Sequence, residues 1–112
     1  MKISWEDHGS VALVIASGEC TGDGADTMRR SVSERLAHGA KSIILDFANV
    51  TLADSAALEC LLWIGDETVR LGGALRVVAP QHAVREALRL TRLEPQFVYA
   101  DTVELAARSL RS

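Results

Sequence analysis

Ser42-Ile43-Ile44-Leu45-Asp46-Phe47 and, further on, Leu75-Arg76-Val77-Val78-Ala79 are short aliphatic runs that do not alternate with polar residues. Strands of this kind are covered on both faces, the condition of central parallel strands in an α/β sheet. Between them, Ser55 to Leu71 reads as the longest helix. It is closed by Gly72-Gly73, where glycine readily takes the left-handed cap conformation. Strand, helix and strand make one βαβ unit, and the rest of the chain extends it in both directions.

Upstream, Lys2 to Glu6 alternates Ile3 and Trp5 with polar residues, the period of a half-buried strand, and Val11 to Ala16 is nearly continuously apolar. The pair predicts a hairpin turning near His8-Gly9-Ser10. After a Gly-rich turn, Ala25 to Leu36 puts Ala25, Met28, Val32 and Leu36 on one helical face, with Arg29, Arg30 and Glu34 elsewhere. Downstream, Pro80 opens a third helix with Val84, Ala87, Leu88 and Thr91 on one face. Phe97 to Tyr99 is expected as an edge strand, and Thr102 as the cap of a last helix burying Val103, Ala106, Ala107 and Leu110. The order β-β-α-β-α-β-α-β-α describes a single α/β domain over residues 1–112, with a mostly parallel sheet of about five strands and about four helices.

A chain of 112 residues is long enough for one core without staples. The net charge is −3 and the Lys and Arg residues are scattered rather than gathered into a stripe, which argues against nucleic acid as a partner. Met1 to His8 contains no apolar run of signal-peptide length, and no segment approaches a membrane span, so a cytoplasmic protein without direct membrane insertion is expected. Cys20 and Cys60 stand far apart in no metal-binding pattern and read as reduced packing residues.

Enzymatic chemistry finds little to work with. His8, His38 and His82 have no Cys or carboxylate at ligand spacing and read as solvated surface residues. Gly18-Glu19-Cys20-Thr21-Gly22-Asp23-Gly24 has neither the spacing nor the Gly-Lys-Ser/Thr ending of a phosphate loop, and a small nucleotide-binding protein built on it ranks last among the readings. There is no Gly-x-Ser-x-Gly elbow. No catalytic, metal or cofactor-binding residue is assigned, and the expected role is binding.

Leu52-Ala53-Asp54-Ser55-Ala56-Ala57-Leu58-Glu59 leads from the first central strand into the long helix. It lies at the carboxyl end of a strand, where open α/β sheets carry their sites. Projected at 100° per residue, this helix has a wide apolar arc including Ala57, Leu58, Cys60, Leu61 and Ile64. Glu59, Asp66, Glu67 and Arg70 mark the opposite face. Trp63 falls within that charged face, and Ser55 lies at its border beside Leu62 and Asp66. Asp54 and Ser55 are both favoured helix-capping residues. An exposed tryptophan near an exposed serine describes a docking surface of Asp54, Leu58, Glu59, Leu62 and Trp63 around Ser55.

These segments together resemble the STAS domains, the family of bacterial anti-sigma factor antagonists and of the cytosolic domains of sulfate transporters. Val14-Ile15-Ala16-Ser17-Gly18-Glu19 is similar to the family's opening. Ile44-Leu45-Asp46-Phe47, Val50 and Asp54-Ser55 resemble its hallmark aliphatic-Asp followed by Asp-Ser-Ser-Gly-Leu. Leu71-Gly72-Gly73-Ala74-Leu75-Arg76-Val77-Val78, Pro80, Thr91-Arg92-Leu93 and Phe97 resemble its later pattern. Ala56 and Ala57 replace the second serine and the glycine of the motif, and Arg92 stands where the family usually has glycine. The resemblance implies a phospho-acceptor at Ser55, an anti-sigma factor with serine kinase activity as partner, and a phosphatase acting on phospho-Ser55. Its other implication is a non-phosphorylated STAS subunit of an ABC lipid-transport complex or a signalling scaffold.

Overall fold

The structure, a computed structural model, describes residues 1–111. Strands β1 (Lys2–His8), β2 (Val11–Cys20), β3 (Ser42–Ala53), β4 (Leu75–Val78) and β5 (Tyr99–Ala100) are joined from β2 onward through helices α1 (Asp23–Ala37), α2 (Ser55–Arg70) and α3 (His82–Leu90); α4 (Val103–Leu110) follows β5. They build one sheet in the order β1-β2-β3-β4-β5, antiparallel between β1 and β2 and parallel thereafter. The mostly parallel α/β architecture expected from the sequence is the one observed.

Each parallel connection steps to the next strand in the same direction. Crossovers of one hand then put their helices on one face of the sheet. Ala25, Met28 and Val32 of α1, Leu61 and Ile64 of α2, and Val84 and Leu88 of α3 accordingly share one core with Val14, Leu45 and Val77. The opposite face is covered by α4, whose Ala106 meets Ile44 and Val78. On that face Val11, Leu13 and Ile15 of β2 are only half-buried.

β3 is twice as long as the run that announced it, reaching Ala53 rather than stopping at Phe47. The register with β2 explains why. Ile15 pairs with Asp46 and Ser17 with Asn49; Gly18 pairs with Val50 and Glu19 with Leu52. At each step β3 accommodates one extra residue, a bulge, and Asp46 Oδ1 accepts the Ala48 N–H at 3.0 Å within the first. Beyond it the inward positions fall at Phe47, Val50 and Ala53, every third residue, so the strand loses the period by which strands are recognised. β2 likewise runs to Cys20 through Gly18, where a Gly-rich turn was expected; what remains of the turn is Thr21-Gly22.

Smaller departures occur near the carboxyl end. α3 starts at His82 with Gln81 as its N-cap, two residues after Pro80. Glu94–Gln96 forms a 3-10 turn, which sends Phe97 into the core and leaves Tyr99–Ala100, not Phe97 to Tyr99, as the edge strand. Thr102 Oγ1 caps α4 by accepting the Leu105 N–H at 3.1 Å, as its sequence position suggested.

Three helices end in the same way, with a left-handed residue followed by a backbone bond back over the last turn: Ala40 N–H to Arg35 O, Gly73 N–H to Thr68 O and Leu93 N–H to Leu88 O. Gly39 and Gly72 supply the left-handed residue in the first two, but Arg92 does so in the third, at φ +62°. A side chain there costs roughly 1 kcal/mol. Arg92→Gly is therefore expected to raise stability by about 0.5 kcal/mol once the greater freedom of glycine in the unfolded chain is offset. A thermal melt should show Tm rising by a few degrees.

Cys20 and Cys60 are both buried and free. Burial pushes the Cys20 thiol up to about 11, with the Asp54 charge adding to it, and the Cys60 thiol up to about 12. Both remain protonated packing groups near neutral pH.

Candidate functional site

β3 passes into α2 through Asp54, which has an extended backbone and caps the helix: its Oδ1 accepts the Ala57 N–H at 3.0 Å. Its Oδ2 accepts the Gly22 N–H, also at 3.0 Å, and Gly22 is the residue preceding α1. The Asp54 N–H itself donates to the Cys20 carbonyl at the end of β2. One carboxylate thus fastens the starts of two helices and brings Asp23 and Asp26, in the first turn of α1, to the same end of the sheet. The Ala57 N–H, joined by that of Gly22, holds the Asp54 carboxyl below its usual range.

This shift has a defined pH signature. Stability contributed by the ionised Asp54 is fully present above the ordinary carboxylate pKa and is lost as pH falls through the lower, folded value. The stability difference between the wild type and Asp54→Asn should stay constant above about pH 5 and shrink in more acid solution. Urea titrations at a series of pH values measure it; a difference independent of pH would show that the charge contributes nothing.

Ser55 is the first residue of α2 and is exposed. The sequence left the capping role open between Asp54 and Ser55; the structure gives it to Asp54. The Ser55 hydroxyl makes no hydrogen bond to the described residues. Ala56 beside it is half-buried and Ala57 fully buried. The methyl at the motif's glycine position therefore points into the core, away from anything approaching the serine.

Along α2, Glu59 is exposed and Leu62 half-buried. Leu58, proposed from sequence as a contact residue, is 6% exposed and belongs to the core. Trp63 is corrected more substantially. It is half-buried against the core, and the Arg29 guanidinium of α1 lies 4.4 Å from its ring centroid. A helical projection places a residue around its own axis only. It contains no information that α1 packs alongside α2 and covers the tryptophan. Gly22 was the residue missed; its position immediately before the acidic Asp23-Gly24-Ala25-Asp26 start was the available signal.

A groove of about 280 Å³ lies farther along, lined by Leu62, Asp66 and Val69 of α2 together with Phe97 and Val98. It includes neither Asp54 nor Ser55. The serine is exposed and lines no described cavity, a setting suited to contact with a macromolecule rather than to enclosing a small molecule. Among the described residues, no group of three or more His, Cys, Asp or Glu side chains could hold a metal ion, and no helix is long and apolar enough to cross a membrane.

A five-stranded, mostly parallel sheet with its crossover helices on one face is the small α/β fold that this chain shares with solved anti-sigma factor antagonists. The chain itself belongs to the STAS domain family, whose sequence model matches residues 2–106. The antagonist SpoIIAA in its unphosphorylated form is similar over 98% of this chain and 96% of its own, with 20% identity and a TM-score of 0.85. The phosphorylated form of the Bacillus cell fate determinant SpoIIAA gives 18% identity and a TM-score of 0.75, over 96% of this chain and 99% of its own. An anti-sigma factor antagonist from Mycobacterium paratuberculosis is 26% identical with a TM-score of 0.82, over 99% of this chain and 94% of that one. No curated protein matches the sequence.

Proposed function

We propose that this domain is a cytoplasmic, non-enzymatic anti-sigma factor antagonist whose binding to an anti-sigma factor with serine kinase activity is switched by phosphorylation of Ser55. A phosphatase acting on phospho-Ser55 resets it. The observation that carries this reading is the free, exposed hydroxyl at the first position of α2, left unengaged because Asp54 performs the capping. The helix start offers a favourable dipole to a phosphate, so the modification can be borne without unfolding. The added charge of about −1.5 to −2 changes the surface instead. SpoIIAA, of the same fold, exists in both phosphorylated and unphosphorylated forms. The contact surface consists of Asp54, Ser55, Glu59 and Leu62, with the acidic start of α1 beside it; Leu58 and Trp63 support it from below.

The test is incubation with the cognate anti-sigma factor and ATP, followed by intact mass and peptide mapping. One phosphate on Ser55, and none on the Ser55→Ala variant, is expected. Phosphate on another residue, or undiminished labelling of Ser55→Ala, overturns the assignment. Ala56, which replaces the second serine of the family motif beside Ser55, favours the second reading, a STAS subunit of an ABC lipid-transport complex or signalling scaffold that is never phosphorylated. Such a subunit co-purifies with a transporter ATPase and is indifferent to Ser55→Asp.

A further inference from the structure

β1 is an outer strand of the sheet, and its free edge runs the length of Lys2–His8. It pairs with β2 through a two-residue turn in which Gly9 has φ +64°, and His8 faces Val11 across it. In such a hairpin the pair flanking the turn is hydrogen-bonded, so residues 2, 4, 6 and 8 direct their backbone groups toward β2. Ile3, Trp5 and Asp7 direct theirs outward, where no strand among the described residues pairs with them. Trp5 is 48% exposed although the Arg35 guanidinium stacks 3.5 Å from its ring centroid and pairs at 2.7 Å with Asp7. An exposed tryptophan on an unpaired strand edge marks a surface made to be covered.

The order of residues along that edge is complementary to itself. Set antiparallel to a second β1 with Ser4 opposite Ser4, the strand places Lys2 opposite Glu6 and Ile3 opposite Trp5, twice each by symmetry. Ile3 and Trp5 are both outward-directed residues, so these two pairs also form the hydrogen-bonded rungs of the new ladder. Lys2 and Glu6 share the other face, where opposite charges directly across a ladder attract. Shifting the register to put Trp5 opposite Trp5 instead sets Ile3 against Asp7 and Ser4 against Glu6, and the complementarity is gone. Glu6 now contacts His8 at 3.0 Å on the surface and is free to turn to a lysine.

We propose that β1 is a self-association edge: two copies of this chain pair antiparallel through Lys2–Glu6 and join their sheets into one of ten strands. β2 separates this edge from the β3–α2 junction, so the dimer leaves Ser55 accessible. A ladder of this length buries less than a standard interface, and the equilibrium is expected to be concentration-dependent.

Sedimentation equilibrium from micromolar to millimolar protein tests it, with circular dichroism confirming that each variant is folded. The wild type should dimerise; Lys2→Glu and Glu6→Lys should each weaken the dimer about tenfold, because each sets like charges opposite one another twice. The double variant Lys2→Glu/Glu6→Lys should recover it, and an equimolar mixture of the two single variants should form the heterodimer. A wild type monomeric throughout, a dimer unmoved by either single reversal, or a double variant as weak as the singles each overturns the proposal.

Discussion

Gly73→Ala is expected to destabilise the domain by about 3 kcal/mol, a large share of the roughly 5–15 kcal/mol that holds a small domain folded. Gly73 lies where α2 returns to the sheet, and its N–H closes the helix on the Thr68 carbonyl at 2.7 Å. A Cβ here would overlap the Lys41 carbonyl and lie 2.6 Å from Ser42 Oγ. Neither neighbour can withdraw cheaply. Lys41 N–H donates to the Ser10 carbonyl, and Ser42 Oγ accepts the Ala74 N–H at 3.0 Å, so a shift breaks the joint where β3 and β4 begin. Gly72→Ala is the control. Gly72 has φ +85° but open space around its would-be Cβ, so only the backbone strain of about 1 kcal/mol applies. Urea denaturation separates the two; equal losses at both positions would mean that the close approach to Lys41 carries no cost.

Ser55→Asp is expected to weaken binding to the anti-sigma factor by about 10-fold to 100-fold, while Ser55→Ala leaves it nearly unchanged. This follows from the proposed function. The aspartate adds charge beside Asp54 and near Glu59 on a chain whose net charge is already −3. The first turn of a helix accepts a negative charge favourably, so the melting curve should move little. Salt distinguishes repulsion from lost packing. If the loss is electrostatic, the gap between the wild type and Ser55→Asp narrows as ionic strength rises and the Debye length falls. Isothermal titration at two salt concentrations gives the comparison, and equal affinity of Ser55→Asp and wild type at low salt would remove the switch from the domain.

The sequence was most readable where a residue's environment is determined by its own element. Ile43 to Leu45 and Val77 to Val78 are flanked on both sides by strands and covered by helices, and their unbroken apolar character reports that. The α2 boundaries, the Gly72 cap and Thr102 were legible for the same reason, since caps are local chemistry. What was lost belongs to pairs of elements. The second half of β3 is written at a spacing of three, because register with β2 and not its own pleat determines which residues turn inward. Arg35 appears as a charged residue on a helix, yet it is 5% exposed because Trp5 and Asp7 on β1 receive it. Trp63 reads as exposed until α1 is laid against it. Around Ser55 the division is the same: the Asp-Ser pair was visible, but its second anchor at Gly22 lies 32 residues away in sequence.

From Ile15 to Cys20, β2 advances five residues, while the paired stretch of β3, from Asp46 to Ala53, advances seven. The two bulged residues work as spacers that bring chains of unequal length level at the sheet's edge, so that Asp54 meets both Cys20 and Gly22. The direction in which Ser55 faces is consequently fixed by a count as much as by chemistry. Substitutions within Ala48 to Thr51, most of which face solvent, leave that count intact; a one-residue deletion there would turn the serine to a different side of the domain with every other element unchanged.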